Sequence, residues 1–446
     1  MPSFLSFLSF LSFLSFLSFL SPLFSQESSQ EAEDLELSVS LVLENLSLEN
    51  LEKHVYELAD PLYEGRNNET EGNAFAREYL IEALKSYGLT AYPSSRATFS
   101  HPFRFLGTSG TNIVAYLPGR DPVLSQEFLL LSAHYDHLGI QGGVGYPGAN
   151  DNACGCAFVL ESARVLSEFR SLLKRSILIV FFDAEEDGMK GSLAFTLAPP
   201  LPLEQIVCAL DSDLIGRPFL DERKDLLFVF GSEYSPLLRE TLLKYPSKTT
   251  MKVHLVGTDL IGPRCDYFSF WIRRKPFLFF TRGQQKAYHR PYDIPETIDY
   301  QGFYQTARFI LAITVDLAQK ENAPSYEKAQ YFLEEAESFL DIVQHTKSQP
   351  HTPQVQWLLE RGEKRLKRIL DRGTLRANDR WFFRTLVASL LFESYQQGAQ
   401  VAPEVPLESL EDELERSIEA LLQDLPDLSE LSELSEEDSS TSEKDK

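Results

Sequence analysis

Two glutamates, Glu185 and Glu186, stand side by side in "FFDAEEDGMKGS", where the apolar run "SILIVFF" gives out. Adjacent carboxylates repel unless a positive charge lies close. The pair is therefore either a solvated loop or part of a cation site. Other groups able to hold a cation recur along the chain: His134 and Asp136 in "HYDHLG", Asp151 in "GANDNA", Asp213 in "DSDLIG" and His289 in "YHRPYD". Mixed imidazole and carboxylate donors suit zinc or another divalent first-row ion. Taken singly, each has an ordinary explanation. An H-x-D spacing is common by chance, and Asp151 before "NACGCAF" is a ready helix N-cap. Asp213 could be a loop carboxylate, and a lone histidine is more often packed or solvated than ligating. Their joint order, each just past an apolar segment, points to metal chemistry.

The elements that must position them are legible as apolar strands alternating with helices. "TNIVAYLPG", "EFLLLSAHYDHLG", "RSILIVFFDAEE", "QIVCALDSDLIG" and "KPFLFFTRG" read as strands running into turns or polar loops. "NAFAREYLIEALKSYGL" has helical spacing and a stop signal at Gly88. A second helix places Cys156, Val159, Leu160, Ala163 and Leu166 on one face. Strands greasy on both faces predict an α/β fold, with a mostly parallel central sheet sandwiched by helices. In such sheets the ligand crevice lies beyond the carboxyl ends of the strands, which would bring these residues to one edge. From about Ala323 strands give way to four helical segments, the last of them "PLESLEDELERSIEALLQDL", an appended all-helical region. It carries His345 and His351, both read as surface residues.

In order, "LADPLYEGR", "SAHYDHLG", "GANDNACGCAFVLESARVL", "FFDAEEDGMKGS", "LDSDLIG" and "YHRPYDIPETID" resemble the signature segments of the co-catalytic zinc aminopeptidases of bacteria. That family has carboxypeptidase and glutaminyl cyclase relatives, and the resemblance runs from about Leu58 to Leu317. It implies a zinc-exopeptidase-like fold and two divalent ions, Zn2+ by expectation. His134, Asp151, Glu186, Asp213 and His289 match the ligand positions, with Asp151 as the bridge. Glu185 matches the catalytic base and Asp136 the acid that orients His134. Tyr288 is a candidate donor to the oxyanion, or simply a packing residue. Asp211 competes with Asp213, and the following "DLIG" sets the register in favour of Asp213. The resemblance also implies a cis peptide after Asp151. The glutamates would then be adjacent because Glu186 holds an ion while Glu185 handles a proton, their side chains diverging as the chain leaves the strand.

The expected function is that of an exopeptidase acting on peptide substrates, most simply an aminopeptidase. A carboxypeptidase of the same family would present an arginine to a free carboxylate, and Arg264, Arg273 and Arg282 lie in the relevant stretch. A glutaminyl cyclase would need only the Asp, Glu and final His positions, so retention of His134 and Asp213 favours hydrolysis. A non-catalytic binding homologue would have lost the ligands. A net charge of -24 over 446 residues argues against nucleic acid as a partner, and nothing in the sequence gives the oligomeric state.

The expected organisation is an apolar Phe-Leu-Ser repeat at 1–25, an acidic linker at 26–50, a catalytic domain at 51–323, the helical region at 324–425 and an acidic disordered tail at 426–446. A three-residue period spreads serine around a helix, leaving it greasy on every side and about long enough to span a bilayer. Export, or anchoring through residues 1–24, to the periplasm or its membrane is the preferred reading. The alternative is a cytoplasmic, low-complexity leader, since no Lys or Arg precedes the apolar run. Cys154, Cys156, Cys208 and Cys265 read as small apolar fillers, with a Cys208–Cys265 bridge open.

Overall fold

The computed structural model describes residues 33–93, 98–221 and 223–401. The Phe-Leu-Ser repeat, the fourth helical segment and the acidic tail lie outside them. Eleven strands form among the described residues: β1 (Thr90–Ala91), β2 (Ser100–Phe105), β3 (Thr108–Leu117), β4 (Phe128–His134), β5 (Gly139–Gln141), β6 (Val144–Tyr146), β7 (Ser176–Phe182), β8 (Ile206–Ser212), β9 (Leu226–Phe230), β10 (Lys252–Leu255) and β11 (Phe277–Thr281). The helices are α1 (33–44), α2 (Leu48–Leu58), α3 (Glu71–Ser86), α4 (Cys154–Glu168), α5 (Lys190–Leu197), α6 (Pro236–Lys244), α7 (Tyr267–Ile272), α8 (Tyr300–Gln319), α9 (Leu333–Thr346), α10 (Pro353–Arg372) and α11 (Ala377–Val401).

The main sheet runs β1-β3-β7-β4-β8-β11-β9-β10, with β2 also paired to β3; β5 and β6 form a separate hairpin. At its centre β7, β4, β8 and β11 are parallel. The sheet is mixed overall, because β3 lies antiparallel to β7 and β9 antiparallel to β11. Strands β9 and β10, short runs in "LLFVF" and "KVHL", were not anticipated from the sequence. Every residue of β4, β7 and β8 is buried, as two covered faces require. Leu129, Leu131, Ile177, Ile179 and Leu210 share one apolar core with residues of α2, α3, α4 and α8. Helix α5 lies against β2 and β3, and α7 against β11 and β8. The apolar stripe predicted on α4 is buried throughout.

The acidic linker expected at 26–50 is corrected over its described part. Residues 33–44 are helical, and Val39, Val42, Leu43 and Leu46 are buried in the main core. Their i, i+3, i+4 spacing turns the apolar stripe inward and leaves the acids outside. The helical region begins later than its spacing suggested. Residues 323–332 form no helix, and the amides of Glu327 and Gln330 donate to the carbonyls of Tyr234 and Glu233 at 2.7 and 2.8 Å. Among the described residues no helix is long and apolar enough to cross a membrane.

Candidate metal centre

Four central strands deliver their next residues to one edge. His134 ends β4, Glu185 and Glu186 follow β7 by three and four residues, Asp213 follows β8 directly, and the loop after β11 reaches His289. Asp151 sits in the turn that opens α4, and the Asp151–Asn152 peptide that follows it is cis. Ala184, Leu214 and His289 all adopt left-handed backbone conformations with φ of 55°, 54° and 55°. Such conformations cost a non-glycine residue about 1–2 kcal/mol, and strain of this kind gathers at functional sites.

The five expected ligand residues converge into two rims that share one carboxylate. His134 Nε2 lies 3.4 Å from Asp151 Oδ1 and 3.6 Å from Asp213 Oδ1. His289 Nε2 lies 3.2 Å from Asp151 Oδ2 and 3.1 Å from Glu186 Oε2. Donor atoms held tetrahedrally at zinc bond lengths stand about 3.3 Å apart, the edge of such a tetrahedron. His134 Nε2, His137 Nε2, His289 Nε2, Asp151 Oδ2 and Asp213 Oδ1 are buried with no hydrogen-bond partner. Buried polar atoms are rarely left so, and divalent cations held in the rims would satisfy those of His134, His289, Asp151 and Asp213.

The electrostatics fit the same reading. Burial pushes the rings of His134 and His289 down, yet the surrounding carboxylates hold both well above the usual histidine range. Burial pushes Asp151 up, but His137, His134 and His289 hold it well below the usual carboxylate value. Burial likewise opposes ionisation of Glu186, which its histidines bring to about 2. Glu185 is raised well above the ordinary value, by burial and then by Glu186, Asp266 and Asp213.

The remaining expected residues divide. Asp136 Oδ1 is 3.6 Å from His134 Nδ1, and its backbone carbonyl is 3.2 Å from the same nitrogen. Its carboxylate also accepts the amides of Glu185 and Glu186 at 3.0 and 3.2 Å, holding the glutamate loop to the end of β4. Tyr288 stacks on His289 with ring centroids 3.8 Å apart. Asp211 is turned away, accepting from Ser132 Oγ at 2.7 Å and the Tyr267 amide at 3.0 Å. Arg282 is buried against Asp299, Arg273 is exposed after α7, and Arg264 is exposed near Tyr288. All four cysteines are free and buried, so the Cys208–Cys265 bridge does not form. His351 is not a surface residue. Its side chain is buried and bonded to Glu393 and to the Thr346 carbonyl.

Sequence reasoning missed several supports. His137 Nδ1 bonds Glu186 Oε1 at 2.6 Å and sits 3.9 Å from Asp151 Oδ1. Its signal was the second histidine of "HYDHLG". The Asp293 carboxylate accepts the Asn150 and Asp151 amides at 3.0 and 3.1 Å, which fixes Asp151. Arg66 is fully buried and donates to the carbonyls of Leu58, Tyr135, Pro147 and Gly148, bracing both ligand loops. Gly148, at φ +59°, packs so closely that a Cβ there would lie 2.5 Å from the His137 ring.

A two-rimmed cluster of histidines and carboxylates at the carboxyl edge of a helix-covered mixed sheet is a candidate centre for divalent metal. Residues 112–314 match the model of Peptidase family M28. The chain is 25% identical over 276 residues to mouse endoplasmic reticulum metallopeptidase 1, matching 57% of its own length and 29% of that protein. It is 31% identical over 199 residues to Drosophila melanogaster glutaminyl-peptide cyclotransferase, across 41% of the chain and 53% of the relative. It thus spans 29% of the one relative and 53% of the other. Its fold is similar to that of the Legionella pneumophila LapA aminopeptidase, with a TM-score of 0.52, 18% identity, and 64% and 76% of the two chains covered.

Proposed function

We propose that the chain is a zinc-dependent exopeptidase, an aminopeptidase that removes residues from peptide N-termini. The observation that carries this is the sharing of Asp151, one oxygen facing His134 and the other His289. His134, Asp151 and Asp213 would hold one ion, and Asp151, Glu186 and His289 a second. Divalent ions held there would polarise the scissile carbonyl and make a water more acidic. Glu185 would take a proton from the attacking water and pass it to the leaving amine. Asp136 sets the height of Glu185 through the loop amides, and His137 holds Glu186 toward His289. Tyr288, kept protonated by burial and by Asp151, Glu186 and Glu185, is a donor for the oxyanion.

Glutaminyl cyclisation is the second reading, favoured by the Drosophila relative. A complete rim around His134 and Asp213 supports hydrolysis over it. The test counts zinc per chain and assays aminoacyl anilides and an N-terminal glutamine peptide, with and without chelator. Hydrolysis lost on chelation and restored by zinc is expected. Glu185→Gln should keep its metal and lose about 10²–10⁴-fold in rate; parental turnover in that variant would remove Glu185 from the role. Export through the Phe-Leu-Ser repeat belongs to the same proposal, with cell fractionation as its check.

A further inference from the structure

An apolar cavity of about 130 Å³ opens beside the metal centre, with Asp213 and Tyr288 in its lining. Its floor includes Phe230 of β9 and Phe279 of β11, each buried. Its far side is made by Ile342 of α9 and by Val387 and Leu390 of α11. These helices lie wholly beyond residues 112–314, the part that matches the peptidase family. The far side carries no charge, and the guanidinium of Arg264 stands at the lining's exposed edge.

An unfilled apolar void costs stability, so its place beside the ligand residues calls for an occupant. An apolar cavity of about 150 Å³ accepts benzene and stays free of water. This one therefore has room for a single branched or aromatic side chain. Resting on the aminopeptidase reading, we propose that the C-terminal helices are part of the substrate site. On this proposal α9 and α11 close the pocket for the side chain of the substrate's first residue, selecting bulky apolar residues such as leucine or phenylalanine. A glycine would leave the void unfilled, and a glutamate or lysine would bring a charge against an uncharged far wall.

The experiment uses the full chain and leaves the ligand residues untouched. Leucyl, phenylalanyl, alanyl, glycyl and glutamyl anilides are compared by kcat/KM in the parent, in Ile342→Trp and in the milder Val387→Phe. The parent should prefer leucyl and phenylalanyl substrates over glycyl and glutamyl ones by about tenfold or more. Filling the cavity should lower the leucyl-to-alanyl and phenylalanyl-to-alanyl ratios of kcat/KM by about tenfold. Zinc content and thermal melting identify any variant that has not folded, and Val387→Phe, at a half-buried position, then carries the test. Folded variants with unchanged selectivity would overturn the pocket and leave the aminopeptidase reading standing. Binding of benzyl alcohol, followed by NMR, gives a readout independent of turnover. If the parent binds it, Ile342→Trp does not, and no anilide is cleaved, the pocket stands and the aminopeptidase reading falls. If the parent does not bind it and filling changes no rate ratio, the pocket falls.

Discussion

Two buried clusters of ionisable groups sit in this molecule, and they are built to opposite ends. At the sheet edge, histidines and carboxylates converge with Nε2 and Oδ atoms left unbonded. Under the helical region, Arg380 of α11 pairs with Glu335 of α9 and with both oxygens of Asp259. There Glu335 also accepts the Gly257 amide at 2.7 Å, and Arg380 lies over the Tyr331 ring at 3.7 Å. In the second cluster donors match acceptors, so it needs nothing further and serves to dock α9 and α11. The first is short of positive charge and of partners, so it needs a cation. Burial and charge density alone do not separate a site from an anchor; the unsatisfied atoms do.

Breaking the shared oxygen pair is the sharpest way to test that contrast. Asp151→Asn is expected to empty both rims, with metal content falling toward zero and hydrolysis by about 10³-fold or more, several kcal/mol of lost transition-state stabilisation. Elemental analysis and single-substrate kinetics check it; retention of full metal would mean that the rims are independent.

Breaking the anchor should act on stability instead. Arg380→Ala leaves Glu335 and Asp259 without their main counter-charge and should cost about 3–5 kcal/mol, read by denaturant unfolding, with zinc bound by the folded fraction unchanged. Loss of zinc from well-folded Arg380→Ala would show that the clusters are coupled.

Between these lies Glu233, whose carboxylate accepts the Gly231 and Thr258 amides at 2.9 and 2.6 Å. Burial, and then the nearby Glu335, push it up to about 7. Since the folded protein holds this proton more tightly than the unfolded chain, the group stabilises fully below about pH 4.5. That contribution is lost as pH rises through about 7, in all about 3 kcal/mol. The difference in unfolding free energy between the parent and Glu233→Gln should therefore shift against the parent over that range. A difference flat in pH would refute it. The smallest effect is expected at Arg384, which also bonds Asp259, at 2.8 Å, but with its side chain 53% exposed. Arg384→Ala should cost at most about 1 kcal/mol. A loss matching Arg380→Ala would mean that exposure does not set the worth of these pairs.

The chain's local chemistry determined a good part of this protein. Apolar runs through β4, β7, β8 and β11 have no polar face, so they had to be covered central strands, and the polar residue ending or following each had to fall at the sheet edge. Hence His134, Glu185, Glu186 and Asp213 could be placed before any coordinates, and the signature segments brought Asp151 and His289 to the same edge. Short runs such as β9 and β10 carry too few residues to declare a period. Tertiary structure alone decided which atom meets which. It gave the two oxygens of Asp151 to different histidines, turned Asp211 toward Ser132, aimed Asp136 at the glutamate amides and set His137 on Glu186. It also left the cavity between the centre and α9 and α11. These outcomes depend on contacts between residues dozens to hundreds of positions apart, whose distances are set by packing rather than by local spacing.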